Sequence, residues 1–266
     1  MNLIEITDPA DPRIDAYRDI RERDLVGREA LFVAEGKVVL EKLVASSAFR
    51  PVSLLIAEKR IAALAPILAQ LPEGVPVYVA GQPVIDGVAG FPLHRGILAI
   101  GQRVESPSAD ALLGGLSGAA NLLVLSAIAN HDNIGGIFRN AAAFGAAAIL
   151  LDSDCCDPLY RKAIRVSVGA ALLVPFARLA RGEDPLALLD RHGFRTIALS
   201  PAGATELKAF VPGARNAVLL GAEGPGLSPD LLARTTSVRI AMAAGFDSLN
   251  VATTSGIVLH HLAAGQ

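Results

Sequence analysis

Short apolar runs that stop abruptly at glycine-bearing loops constrain this chain more than any other feature. The stretch Ala217–Val251 shows the pattern most clearly. Ala217–Leu220 reads as a buried strand entering Gly221-Ala222-Glu223-Gly224-Pro225-Gly226, a loop where glycine admits backbone conformations closed to other residues. Ser228-Pro229 marks a helix start, with serine as N-cap and proline at the first helical position. Val238–Met242 reads as a second strand, and Ser248 as the N-cap of a last helix from Leu249 to about Leu262. Two strand ends thus open into polar loops and helix N-termini, where open α/β sheets hold ligands. Glu223 and Asn250 lie in those two loops.

The same alternation runs through the rest of the chain. In the first hundred residues, strands are expected at Met1–Ile6, Ala30–Ala34, Val52–Ala57, Val75–Ala80 and Ile97–Gln102. Helices are expected at Asp15–Leu25, about Lys37–Ala45 and about Arg60–Gln70, which makes a small α/β sandwich. Arg18, Arg21 and Arg23 alternate with Asp19, Glu22 and Asp24, the pattern of a solvated helix face. His94 and Arg95 are candidates for RNA contact or simply part of a solvated loop. Val104–Gly118, rich in Ser, Gly and Pro, reads as a linker.

In the second half, Asn121–Ile128 is a continuous apolar strand leading to Asn130-His131-Asp132-Asn133-Ile134-Gly135-Gly136-Ile137-Phe138-Arg139-Asn140-Ala141. Asn133 is expected to cap a helix that turns Ile134, Ile137, Phe138, Ala141 and Phe144 to a core and leaves Arg139 on another face. A strand at Ala147–Leu151 precedes an acidic loop, and Pro158–Val168 reads as a helix with Arg161, Lys162 and Arg165 in one basic cluster. Leu172–Pro175, the helix Pro185–His192 and the strand Arg195–Leu199 continue the alternation. This implies a mainly parallel sheet covered on both faces.

Composition narrows the function. Net charge is −2: residues 1–107 carry 12 Lys and Arg against 14 Asp and Glu, and residues 108–266 carry 12 of each. A phosphate-binding face must therefore come from local clustering of cations rather than from a global surplus. No apolar stretch reaches the roughly 20 residues of a membrane span, and Met1–Arg13 lacks a basic segment before an apolar core. The neighbours Cys155 and Cys156 make neither a disulfide framework nor a metal site, so a reducing cytoplasm fits. His94, His131, His192, His260 and His261 show no metal spacing, and no metal is expected. Neither a GxxxxGK[ST] phosphate loop nor a GxSxG elbow occurs, and Gly221–Gly226 is not a GxGxxG.

Three of these stretches, in order, resemble the SpoU–TrmH family of RNA ribose 2′-O-methyltransferases in the SPOUT class. They are Asn133–Ala141, Leu220–Ser228, and Ile240-Ala241-Met242 with Ser248-Leu249-Asn250-Val251. The resemblance covers about residues 121–262. Residues 1–103 look, more loosely, like the L30e-like RNA substrate-binding domain that precedes such catalytic domains. The expected organisation is therefore an L30e-like domain at 1–103, a linker at 104–118 and a SPOUT methyltransferase domain at 119–266 whose C-terminal segment forms a trefoil knot. Two departures stand out: His131-Asp132 where many relatives have Asp-Pro, and Ala241 where Ile-Pro-Met is common.

The resemblance implies S-adenosylmethionine as cofactor, held at Leu199, Gly221, Ile240, Met242 and Leu249, and a homodimer with sites at the subunit interface. It casts Arg139 as the catalytic arginine, with Asn133, Glu223, Ser248 and Asn250 as the other polar motif residues. Arginine is always protonated, so Arg139 suits stabilising a developing alkoxide or gripping a phosphate better than acting as a base. The substrate expected is ribosomal RNA. Transfer RNA is the alternative within the same chemistry, and a non-catalytic RNA-binding or ribosome-assembly protein is the alternative outside it.

Overall fold

The structure, a computed structural model, describes residues 2–18 and 31–264. It divides into two compact units, one of Met1–Glu105 with Leu159–Leu173 and one of Ser106–Pro158 with Val174–Gln266. In chain order the first unit contributes β1 (Asn2–Ile6), β2 (Leu31–Glu35), α1 (Lys37–Ala45), β3 (Phe49–Ala57), α2 (Ile61–Leu68), β4 (Pro76–Ala80), α3 (Gln82–Ala89) and β5 (Ile97–Arg103). The second begins with α4 (Ala109–Gly114), β6 (Ala120–Leu125), α5 (His131–Ala143) and β7 (Ala148–Leu151). The short helix α6 (Arg161–Val166) belongs to the first unit again. The second resumes with β8 (Phe176–Arg178), α7 (Pro185–Arg191), β9 (Arg195–Leu199), β10 (Thr205–Glu206), β11 (Arg215–Leu220), α8 (Pro229–Ala233), β12 (Thr236–Arg239) and α9 (Val251–Ala263).

The first unit is built on a mixed sheet in the order β1-β4-β3-β5-β2. On one face Val33, Leu55, Leu98 and Ile100 pack with Ile85 and Val88 of α3. Their alternate neighbours Phe32, Leu54 and Ile56 are equally buried, and α1 packs on β2 and β3. Burying both faces in this way needs side chains of alternating direction along each strand, which these apolar runs supply. Helix α3 was not anticipated from sequence, although Pro83 in its first turn is a start signal. Where a helix was expected over Asp15–Leu25, a 3-10 helix spans Pro12–Tyr17, and residues 19–30 lie outside the described residues. Tyr17 is fully buried, its hydroxyl 2.7 Å from Ser53 Oγ.

Segment 159–173 corrects the expectation that residues 119–266 form one unit. Arg161 Nη2 sits 2.6 Å from Glu35 Oε2 in a nearly buried ion pair, and its guanidinium lies 5.0 Å from the centre of the Phe91 ring. Lys42 Nζ donates to the Val168 carbonyl, and Ala163 and Ile164 are buried. Charge pairing and apolar burial thus hold α6 against β2 and α1. The basic cluster Arg161, Lys162 and Arg165 belongs to this unit.

The second unit is a seven-stranded, wholly parallel sheet in the order β10-β12-β9-β11-β6-β7-β8. Leu122, Val124, Ala148, Leu150, Ala217 and Leu219 form one core face with Leu188 and Leu189 of α7. The opposite-phase residues Leu123, Leu125, Ile149, Leu151, Ile197 and Val218 are equally buried. Helices cover both faces, which is why the strands read as continuous apolar runs. The expected linker is partly structure: Ser108 Oγ accepts from Ala111 N to cap α4, whose Ala109 and Leu113 join the core. Leu172–Pro175 is not a strand; a 3-10 turn at Ala170–Leu172 precedes β8.

Candidate active site

Three adjacent strands, β12, β9 and β11, end at the same edge of the parallel sheet, and their following loops enclose a cavity of about 400 Å³. Leu199, Ser200 and Pro201 leave β9, and Leu220 through Glu223 leave β11. Ile240 and Met242 follow β12, which stops at Arg239, short of the strand expected through Met242. Ser248 through Val251 and Thr254 close the far side, where α9 begins. The site forms here because parallel strands all release their chain at one end.

The loop after β11 is folded tightly on itself. Gly226 N donates to the Ala222 carbonyl at 3.0 Å. A Cβ on Gly221 would lie 2.4 Å from the Gly226 carbonyl carbon and the Leu227 nitrogen, so only glycine fits. The result is exposed backbone at the cavity edge, framed by apolar Leu199, Leu220 and Ile240.

Helices α5 and α9 bring the polar residues together. Asn250, not Ser248, is the N-cap of α9: its Oδ1 accepts from Ala252 N at 2.9 Å and Thr253 N at 3.2 Å. With Oδ1 so engaged, Nδ2 must donate, and it reaches Asn133 Oδ1 at 2.8 Å. The Asn133 amide is thereby oriented to donate from Nδ2 to Glu223 Oε1 at 2.5 Å. Asn130, whose Oδ1 accepts from Asp132 N, caps α5, and Asn133 is a buried residue of its first turn. A capping side chain is spent on its own helix; Asn133 is free to join two loops because Asn130 does that work.

Of the residues singled out from sequence, Leu199, Gly221, Glu223, Ile240, Met242, Ser248, Leu249 and Asn250 line the cavity. Asn133 reaches it through Glu223 and Asn250. Arg139 does not line it. It is exposed on α5, and its side chain makes no hydrogen bond or ion pair among the described residues. Sequence reasoning passed over Asn140, whose Nδ2 donates to the Ala252 carbonyl at 2.6 Å and lies 3.0 Å from Ser255 Oγ. Its spacing of seven from Asn133, two helical turns, was the available signal. The helices approach closely there, since a Cβ on Gly136 would come within 2.7 Å of Ala252 Cβ.

The two cysteines hold no site chemistry. Burial pushes the Cys155 thiol up to about 12 and the Cys156 thiol up to about 11. Cys155 Sγ accepts from Ile128 N and faces the Leu125 carbonyl, both at 3.3 Å. Among the described residues no cluster of His, Cys, Asp and Glu is arranged to hold a metal, and no helix is long and apolar enough to cross a membrane.

Comparison with known proteins agrees with this layout. Residues 120–260, which span the whole cavity, match the model of the SpoU rRNA Methylase family. The chain belongs to that family. It is an RNA methyltransferase of the SpoU type, and similarity extends along its whole length. An uncharacterized tRNA/rRNA methyltransferase of Mycobacterium tuberculosis is 41% identical over 100% of this chain and 96% of its own. The 23S rRNA (guanosine-2′-O-)-methyltransferase RlmB of Ralstonia nicotianae is 30% identical over 70% of this chain and 76% of its own. The fold also matches the AdoMet-bound rRNA methyltransferase of Sinorhizobium meliloti, with a TM-score of 0.82, 23% identity and 98% and 97% of the two chains covered.

Proposed function

We propose that this SpoU protein transfers a methyl group from S-adenosylmethionine to a ribose 2′-hydroxyl of ribosomal RNA. The observation that carries the reading is the cavity at the ends of β9, β11 and β12, where Gly221 backbone, apolar walls and the Asn250–Asn133–Glu223 chain meet. Its size falls within the roughly 300–1,000 Å³ of small-ligand sites, so a nucleoside with an amino-acid tail fits. Leu199, Gly221, Ile240, Met242 and Leu249 hold the cofactor, with Ser248 at the same rim. Bound S-adenosylmethionine supplies an already activated methyl group, so alignment and charge stabilisation are what remain for the protein. The amide chain fixes the two loops that define that alignment.

Arg139 supplies positive charge for the developing alkoxide or the adjoining phosphate. Six positions beyond Asn133, it lies on a different face of α5 from its own cavity. Its exposure supports a homodimer in which it serves the partner's site. The family's trefoil knot belongs to the same reading: β12 lies beside β9 rather than β11, and α9 then packs on α5, as a threaded C-terminal segment would.

RNA contact by the first unit has support in charge clustering that a net charge of −2 conceals. Exposed Lys37, Lys59, Arg60, His94 and Arg95 gather at one end of its sheet. Arg95 packs against Gly36, and Arg60 Nη2 donates to the His94 carbonyl at 3.4 Å. This fits an L30e-like substrate-binding role.

The test incubates purified protein and methyl-labelled S-adenosylmethionine with total RNA from a strain lacking the gene. Label in ribosomal RNA, recovered as an alkali-resistant dinucleotide, is the expected result. Label in transfer RNA overturns the substrate. Failure to bind the cofactor at millimolar concentration overturns the enzyme.

A further inference from the structure

Between the cavity residues Met242 and Ser248 the chain makes a short excursion that carries Phe246 just past its turn. Ala243 to Phe246 is a tight turn: Phe246 N donates to the Ala243 carbonyl at 3.1 Å, and Gly245 takes the left-handed conformation at φ +84° that such a turn requires. The turn fixes the direction in which Phe246 leaves the backbone, and the side chain ends 75% exposed. It is the one aromatic among the strongly exposed large apolar residues described. Leu249, 41% exposed on the same loop, lines the cavity; Phe246 does not. A planar apolar ring held out on a short turn, a few residues from both sides of a site, has the geometry of a stacking platform.

We propose that Phe246 stacks on a nucleobase of the substrate RNA at the mouth of the cavity. This rests on the reading above that the cavity serves methyl transfer to RNA. Unpaired RNA is gripped by splaying its bases onto aromatic faces, because every base offers a π-face whatever its sequence. A ribose presented for methylation carries its base and its neighbours past the rim of the site, and Phe246 is the ring placed there. It is a positioning residue for RNA and leaves the cofactor untouched.

Methyl transfer to deproteinised ribosomal RNA from a strain lacking the gene is measured for wild type, F246A, F246L, F246Y and F246W, with cofactor affinity and oligomeric state followed in parallel. Base–aromatic stacking is worth roughly 1–3 kcal/mol, so F246A raises the KM for RNA by about 5- to 150-fold while the cofactor Kd and dimerisation hold. F246Y and F246W stay near wild type, and F246L is as poor as F246A. The chain contains no tryptophan, so F246W is also a lone emission reporter, quenched when ribosomal RNA binds. Full RNA affinity in F246L, weaker cofactor binding or weaker dimerisation in F246A, or unquenched emission in F246W each overturns the assignment. A wild type that methylates no RNA overturns the underlying function instead.

Discussion

Asn250 Nδ2 donates to Asn133 Oδ1 across 2.8 Å, joining residues 117 positions apart. The bond makes the start of α9 and the first turn of α5 one polar unit, which Glu223 completes from the loop after β11. Its direction is imposed by the backbone, since the Asn250 carbonyl oxygen is already committed to capping α9.

Asn250→Ala and Asn250→Asp therefore separate two roles. The alanine variant loses the cap and is destabilised by about 1–2 kcal/mol, visible as a lower denaturation midpoint. The aspartate variant keeps an acceptor for the cap but sets a carboxylate oxygen against Asn133 Oδ1. It should keep more of its midpoint than the alanine variant and lose methyl transfer by about two- to tenfold, one neutral, partly buried hydrogen bond being worth roughly 0.5–1.5 kcal/mol. Equal activity in N250D and wild type contradicts the positioning role.

Arg139→Ala should leave folding unchanged, because the side chain is exposed and holds no partner among the described residues. Methyl transfer should fall by about 10²–10³-fold, the scale for removing one donor from a developing oxyanion. If Arg139 serves the partner's site, mixing inactive R139A with inactive N133A restores activity in the mixed dimers, each of which holds one complete site. No recovery on mixing places Arg139 in its own chain's site.

The Glu35–Arg161 pair is 9% and 12% exposed at its side chains, so it is barely screened by water. Removing one partner strands a buried charge. Arg161→Ala is expected to cost about 3–5 kcal/mol by denaturant unfolding, and the double variant E35L/R161M to recover most of that. An R161A midpoint equal to wild type would show that α6 is held by its apolar contacts alone.

Cys155 and Cys156 set a pH dependence. Their thiols ordinarily titrate near 9 and are pushed up to about 12 and about 11 in the folded chain. The unfolded chain therefore releases these protons first as pH rises. The stabilisation that comes with the protonated thiols, Cys155 buried and Cys156 half-buried, is complete below about pH 9 and is lost progressively from there towards pH 12. In the native protein at pH 8 both thiols should resist iodoacetamide and react fully in denaturant; rapid native alkylation contradicts the burial.

The sequence by itself determined most of the strands and helices of the catalytic half, though not α4, β8 or β10, together with the parallel sheet and the loops that would carry the site. Those features are local: an apolar run of strand length ended by glycine, or a serine before a proline, signals its structure within a few residues. Its motif residues Glu223, Asn250, Gly221 and Leu249 do meet at one cavity. Tertiary structure alone decided the rest. Which asparagine caps a helix depends on what each amide can reach across the fold, so Asn130 and Asn250 displaced Asn133 and Ser248 from that role. Segment 159–173 joined the first unit because a buried carboxylate at Glu35 requires a cation, and the one that answers it, Arg161, lies 126 residues further along the chain. Arg95 stood out in the sequence, but its gathering with Lys59 and Arg60 did not, for the same reason: charges scattered along a chain become a surface only when strand ends bring them together.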